Sequence, residues 1–94
     1  MKIHWTRLAR DDRRSIYDHV EADNPEAALA LDDLFTEHAA RLIDYPMIGR
    51  PGRVQGTREL VVHRNYVLVY DLAGTAIRVI RILHAARQWP MGER

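Results

Sequence analysis

The chain has 94 residues, enough for one small domain with a single hydrophobic core and little stability to spare, so residues 1–94 are read as one domain. With 47% hydrophobic and 29% charged residues it has the balance of a soluble globular chain, and no apolar run approaches the ~20 residues that span a bilayer, which excludes a membrane-spanning role. Net charge is only +1, yet residues 1–48 carry six Lys/Arg against ten Asp/Glu and residues 49–94 carry eight against three, so an acidic half precedes a basic half suited to phosphate or to an acidic partner segment.

The start, MKIHWTRLARDD, lacks the continuous apolar stretch of a secretory signal, and the absence of cysteine agrees with a reducing, cytoplasmic compartment. Lys2 to Thr6 alternates enough for a short first strand, with Thr6 placed to cap a following helix. In residues 7–23, Leu8, Ala9, Ile16, Tyr17 and Val20 form an interrupted apolar stripe, and the run RDDRR lies mostly on the solvent side. Asn24 is a second cap, Pro25 fits a first helical position, and Glu26 suits the positive end of a helix dipole. Ala27, Ala28, Leu31, Leu34, Phe35, His38, Leu42 and Tyr45 then recur at steps of mostly three and four until Pro46 stops the pattern. So short a turn between helices predicts an antiparallel hairpin, and His38, lying among apolar positions, reads as a partly buried, hydrogen-bonded side chain.

Residues 46–57, PMIGRPGRVQGT, hold three glycines and two prolines and read as a loop joining helix to sheet. Gly49, Arg50, Gly52 and Arg53 offer N–H groups and guanidinium forks to an anion, without the fixed spacing of a phosphate-binding loop. Three strands follow, at 58–63, 66–72 and 76–84, each rich in Val, Ile, Leu or Tyr, with reversals at Arg64-Asn65 and Ala73-Gly74 that make them consecutive antiparallel hairpins. The last two are apolar at odd and even positions alike, so the sheet is expected to be covered on both faces over part of its area. Period two places Ile77, Val79, Arg81 and Leu83 on one side of the last strand and Arg78, Ile80, Ile82 and His84 on the other. An arginine on an apolar strand face needs an acid, a sheet edge or a partner; Asp71, Glu59 and the acidic helices are the internal candidates.

The histidines, at 4, 19, 38, 63 and 84, show no pair at metal-ligand spacing, and Ser15, the only serine, lies in a charged helix, so no metal, cofactor or nucleophilic triad is expected.

The order β-α-α-β-β-β, an α+β arrangement of a helix hairpin on a mainly antiparallel sheet, together with YPMIGRPGR, RELVVHRNYVLVYDL and IRVIRILHAARQWP, resembles the RelE/ParE superfamily of type II toxin–antitoxin toxins over nearly the whole chain. The resemblance implies one of two activities. RelE-like members are ribosome-dependent endonucleases that cut mRNA; ParE-like members poison DNA gyrase. RelE-like toxins typically carry an arginine where Val67 stands in NYVLVY, and Gly-Lys-Arg where Leu83, His84 and Ala85 stand; no C-terminal Val-Tyr follows here. Cleaving RNA through its 2′-OH needs a proton acceptor, cations for the phosphorane and a proton donor, none of which a valine supplies. In a nuclease His84 would be the acid or base, with Arg81, Arg87 or Arg64 supplying charge.

ILHAAR is closer to ParE-like endings, which implies a non-enzymatic gyrase poison whose target-binding surface would comprise Arg78, Arg81, His84, Arg87 and Trp89. Trp89 reads equally as a tail side chain folded back on the sheet edge, and His84 as a hydrogen-bonded strand end. The resemblance further implies a cognate antitoxin whose C-terminal segment folds on the toxin in a hetero-oligomer, and plasmid stabilisation as the setting. A non-toxic basic module of the same fold is the remaining reading.

Overall fold

Thr6 and Asn24 start the two helices as their side chains require: Thr6 Oγ1 accepts from the Ala9 N–H at 3.1 Å and Asn24 Oδ1 from the Ala27 N–H at 3.1 Å. A computed structural model describes residues 1–85, which run β1 (Lys2–Trp5), α1 (Arg7–Glu21), α2 (Pro25–Asp44), β2 (Arg50–Pro51), β3 (Arg58–His63), β4 (Tyr66–Ala73) and β5 (Ala76–His84). The expected α+β architecture is present. The loop after α2 contributes one addition, the two-residue strand β2.

The five strands form one sheet in the order β1-β5-β4-β3-β2, antiparallel except for β1, which lies parallel to β5 with Lys2 opposite Ala76 and Trp5 opposite Val79. Gly74, at φ +63°, occupies the first central position of the β4–β5 hairpin, where a left-handed conformation is needed. The helix hairpin covers one face. Ala9, Leu31, Phe35 and Ala39 meet Val62, Leu68, Val79 and Ile82 there, and Leu42 closes a second cluster with Tyr70 and Ile77. On the opposite face Val67, Val69 and Leu83 are also buried, as the doubly apolar strands require.

Three sequence expectations shift. Leu8 and Tyr45 lie outside the core and are exposed, Tyr45 because α2 has ended at Asp44. RDDRR is not simply a solvated run. Arg13 binds both carboxylate oxygens of Asp32 on α2 and stacks its guanidinium 4.8 Å from the centroid of the Trp5 ring, tying α1 to both neighbours. Finally, strict alternation along β5 breaks. Val69 pairs with Arg81 but Tyr70 pairs with Val79, so Ile80 is an extra residue and Ile77, Val79 and Ile82 all reach the helix side.

The loop 46–57 is held by two buried groups from the sheet. Tyr70 Oη donates to the Pro46 carbonyl at 2.8 Å and accepts from the Gly49 N–H at 3.0 Å. A Cβ added to Gly49 would stand 2.7 Å from that Tyr70 ring and 3.0 Å from the Glu59 carbonyl, so the site demands glycine for space. Tyr70→Phe is expected to cost about 1–3 kcal/mol in urea unfolding, because it orphans a buried N–H and a carbonyl, and Gly49→Ala to cost at least as much through the clash. Glu59, whose side chain is almost wholly buried, takes Arg50 at 3.2 Å and the Arg53 backbone N–H at 3.0 Å. The N–H groups of Gly49, Gly52 and Arg53 are thus committed internally, to Tyr70, Thr57 and Glu59, which removes the phosphate-cradle reading of this loop.

Candidate functional site

Where β1 ends, the rest of β5 would expose its backbone edge, and α1 satisfies that edge with side chains. Thr6 Oγ1 donates to the Ile80 carbonyl at 2.9 Å, and Asp12 Oδ2 accepts from the Ile82 N–H at 2.9 Å. The same Asp12 carboxylate takes Arg81 in a two-pronged pair, Nε to Oδ2 at 2.8 Å and Nη2 to Oδ1 at 2.9 Å. That hydrogen bond raises the proton affinity of the guanidinium, burial opposes it, and the Asp12 charge adds to the rise. Arg78 is raised likewise by its hydrogen bonds to Asp71, its cross-strand partner, and by the charge of Asp71. A group whose folded-state value lies above its unfolded one stabilises below the unfolded value, and for arginine that covers every pH at which the protein is handled.

A second bulge lies in β3. Val61 pairs with Val67, but His63 pairs with Tyr66, leaving Val62 as the extra residue before the Arg64-Asn65 turn. With both bulges in place, three rings line up across three strands. His63 is opposite Tyr66 and Tyr66 opposite His84, with centroid separations of 6.1 and 5.4 Å, and Phe35 on α2 supports Tyr66 edge-on at 5.9 Å. His63 Nδ1 accepts from the Asn65 N–H, and the Ala85 N–H donates to the Asn65 carbonyl, so the turn and the end of β5 are held together.

This row forms one wall of an open cleft of ≈ 980 Å³ at the end of the molecule where α1 turns into α2. Ile16, Val20, Leu31 and Leu34 supply apolar lining, and Asp12, Ser15, His19 and Asn65 supply polar groups besides the row. The arrangement suits recognition: an apolar trough walled by a row of edge-on and tilted rings, and no Lys or Arg among its described lining residues.

The residues expected to share one surface are divided. Arg78 points away from the helices and is paired with Asp71; Arg81 is tied to Asp12 at the β5 edge; His84 lies on the helix side, in the cleft. Arg64 is exposed in the β3–β4 turn, next to cleft-lining Asn65. Arg87 and Trp89 lie outside the described residues. Asp12, Tyr66 and His63 were not singled out from the sequence. Asp12 was masked by the charge run around it, whereas Tyr66 and His63 offered a signal in their symmetry about the two-residue turn Arg64-Asn65. Among the described residues, no three His, Cys, Asp or Glu side chains gather as a metal site.

Comparison with known proteins agrees with the fold. The family model described as the ParE toxin of the type II toxin–antitoxin system, parDE, matches residues 3–89. A Sinorhizobium fredii protein named "Putative toxin Y4kP" is 33% identical over 90 residues, covering 95% of this chain and 93% of that protein. Toxin RelE2 of Caulobacter vibrioides is 35% identical over 86 residues, covering 92% and 97%. Among solved structures, the chromosomal ParDE toxin–antitoxin system from P. aeruginosa superposes with a TM-score of 0.80 at 32% identity, over 89% of this chain and 95% of that one.

Proposed function

The chain belongs to the ParE toxin family of type II toxin–antitoxin systems, and from that premise we propose that it arrests growth by binding DNA gyrase and trapping its cleaved-DNA complex, and that a cognate antitoxin neutralises it in a hetero-oligomer. The observation that carries the gyrase reading is the state of the arginines on β5. Both oxygens of Asp12 neutralise Arg81, and both oxygens of Asp71 neutralise Arg78. A phosphorane needs cations that are not already committed to carboxylates, whereas a recognition surface needs shape and rings. Val67, where RelE-like nucleases carry an arginine, is buried and adds no charge.

The second reading, a ribosome-dependent mRNA endoribonuclease, draws on the likeness to Toxin RelE2 and on the place of His84 in a cleft. Induction without antitoxin separates the two. The gyrase reading expects filamentation, a DNA-damage response and gyrase–DNA complexes trapped by detergent lysis, with His84→Gln retaining part of the toxicity. Rapid translation arrest with mRNA cut at codon positions, abolished by His84→Gln, would replace it with the nuclease. Normal growth with soluble, folded protein would leave only the non-toxic module.

A further inference from the structure

We infer that the corner formed by the end of α2 and the loop 46–57 is the surface that docks on the target protein, entering an acid-rimmed apolar socket of that protein with Met47 and Tyr45. This rests on the gyrase reading proposed above and gives that reading a surface, since the residues expected to share one around β5 lie apart.

Exposed apolar surface concentrates at this corner. Of the nine large apolar side chains exposed among the described residues, Ile43, Tyr45, Met47 and Ile48 fall within residues 43–48, and Leu72 lines with Met47 an open cavity of ≈ 350 Å³. Such a cluster marks an interaction site, where the same side chains scattered singly would not. The frame beneath them is fixed. Tyr70 holds the Pro46 carbonyl and the Gly49 N–H, Arg58 donates to the Met47 carbonyl at 3.3 Å and to the Gly49 carbonyl at 2.7 Å, and the Ile48 N–H turns back to the Tyr45 carbonyl at 3.2 Å. A protruding, preorganised anchor enters a socket on a folded protein at little ordering cost, whereas a flexible segment needs a trough to lie in.

Charge selects the rim of the socket. Arg50, its side chain 58% exposed, meets Glu59 at 3.2 Å on a carboxylate that the Arg53 backbone N–H also occupies, and Arg58 donates to carbonyls. Asp71, which lines the small cavity with Arg58, is already bound by Arg78, and Asp44 at the end of α2 has Arg41 in the same last turn. Among the described residues the corner therefore keeps a positive surplus, which an acidic rim complements. Tyr and Met at the centre with arginines around them is the composition of a protein interface. Duplex DNA would meet apolar side chains where its phosphates need cations.

The test uses the full chain, purified gyrase and supercoiled plasmid, with trapped complexes read as linear DNA after detergent and protease, and folding checked by circular dichroism. Met47→Glu is expected to raise the concentration needed for half-maximal trapping roughly 100-fold, the scale of a lost hot spot, and Tyr45→Ala about tenfold. Gln55→Glu, which places an acid in the same exposed loop, is expected to raise it about fivefold. Leu29→Glu, as exposed as Met47 at 57% but on α2 near the α1–α2 turn, should stay within about twofold, the scale of a non-contact surface change. Wild-type trapping by folded Met47→Glu and Tyr45→Ala overturns the corner assignment and leaves the gyrase reading standing. A loss confined to Leu29→Glu does the same, by moving the contact to the other end of the molecule. If Met47→Glu traps as wild type does but no longer binds the antitoxin, or no longer self-associates where the wild-type chain does, the corner belongs to that partner and the assignment falls. Binding of gyrase-free plasmid that Met47→Glu abolishes hands the corner to nucleic acid and overturns it as well. No trapping by the wild-type chain overturns the gyrase reading and this inference together.

Discussion

Asp12→Ala is expected to lower the unfolding free energy by about 3–5 kcal/mol, the cost of removing one partner from a largely buried ion pair. The side chains of Asp12 and Arg81 are 16% and 22% exposed, so solvent relieves only part of the loss. Three hydrogen bonds end together: the Ile82 N–H loses its acceptor and the Arg81 guanidinium loses both oxygens of this carboxylate. The effect should exceed that of Arg81→Met, which removes the charge instead of taking its carboxylate away. Asp12→Asn, which keeps an acceptor for Ile82, should fall between wild type and Asp12→Ala. Urea unfolding checks the order. If Arg81→Met proved as damaging as Asp12→Ala, packing of the arginine stem rather than the loss of the carboxylate would be the dominant effect.

Phe35→Ala carries the second large effect, about 3–5 kcal/mol, as for other buried aromatic truncations. Phe35 is 1% exposed and lies at the heart of the main cluster, and its edge contact is what supports Tyr66 from below. A small domain has only about 5–15 kcal/mol in total, so this variant should melt far below wild type or be unfolded at growth temperature. Phe35→Leu should cost substantially less, keeping most of the volume while losing the ring contact. A near-ultraviolet dichroism change in folded Phe35→Leu would report the loosening of Tyr66; a spectrum identical to wild type would mean that strand pairing alone sets that ring.

Much of the scaffold was legible because its signals are local. Thr6, Asn24 and Pro25 announce helix starts through groups within three residues, and the recurring Leu31, Leu34, Phe35 and Leu42 announce a buried helix face. The need of Arg78 and Arg81 for acids was legible too, and Asp71 and an acid on α1 supply them. The bulges at Val62 and Ile80 were not, since both residues are ordinary strand formers and the extra position exists only relative to the neighbouring strand. That single residue on β5 put Ile82 and His84 on the side of Ile77 and Val79, where strict alternation had placed them with Arg78, so His84 parted from Arg78. Asp12 escaped notice for a related reason: its partners lie 69 and 70 positions away, and nothing in RDDRR distinguishes the aspartate that turns inward from Asp11, which does not.

The parallel pairing of β1 with β5 sets an order of events during synthesis. Among the described residues the first strand waits for β5, because Lys2–Trp5 pair only with Ala76–Val79. Until β5 has left the ribosome the helix hairpin has half a sheet to cover, Asp12 has neither Arg81 nor Ile82 to hold, and Tyr66 has no His84 beside it. A nascent chain therefore cannot present the finished surface, and closure across so long a sequence separation is slow compared with helix formation. The finished surface exists only after β5 has emerged and paired, which gives a partner already present in the cell the first encounter with it.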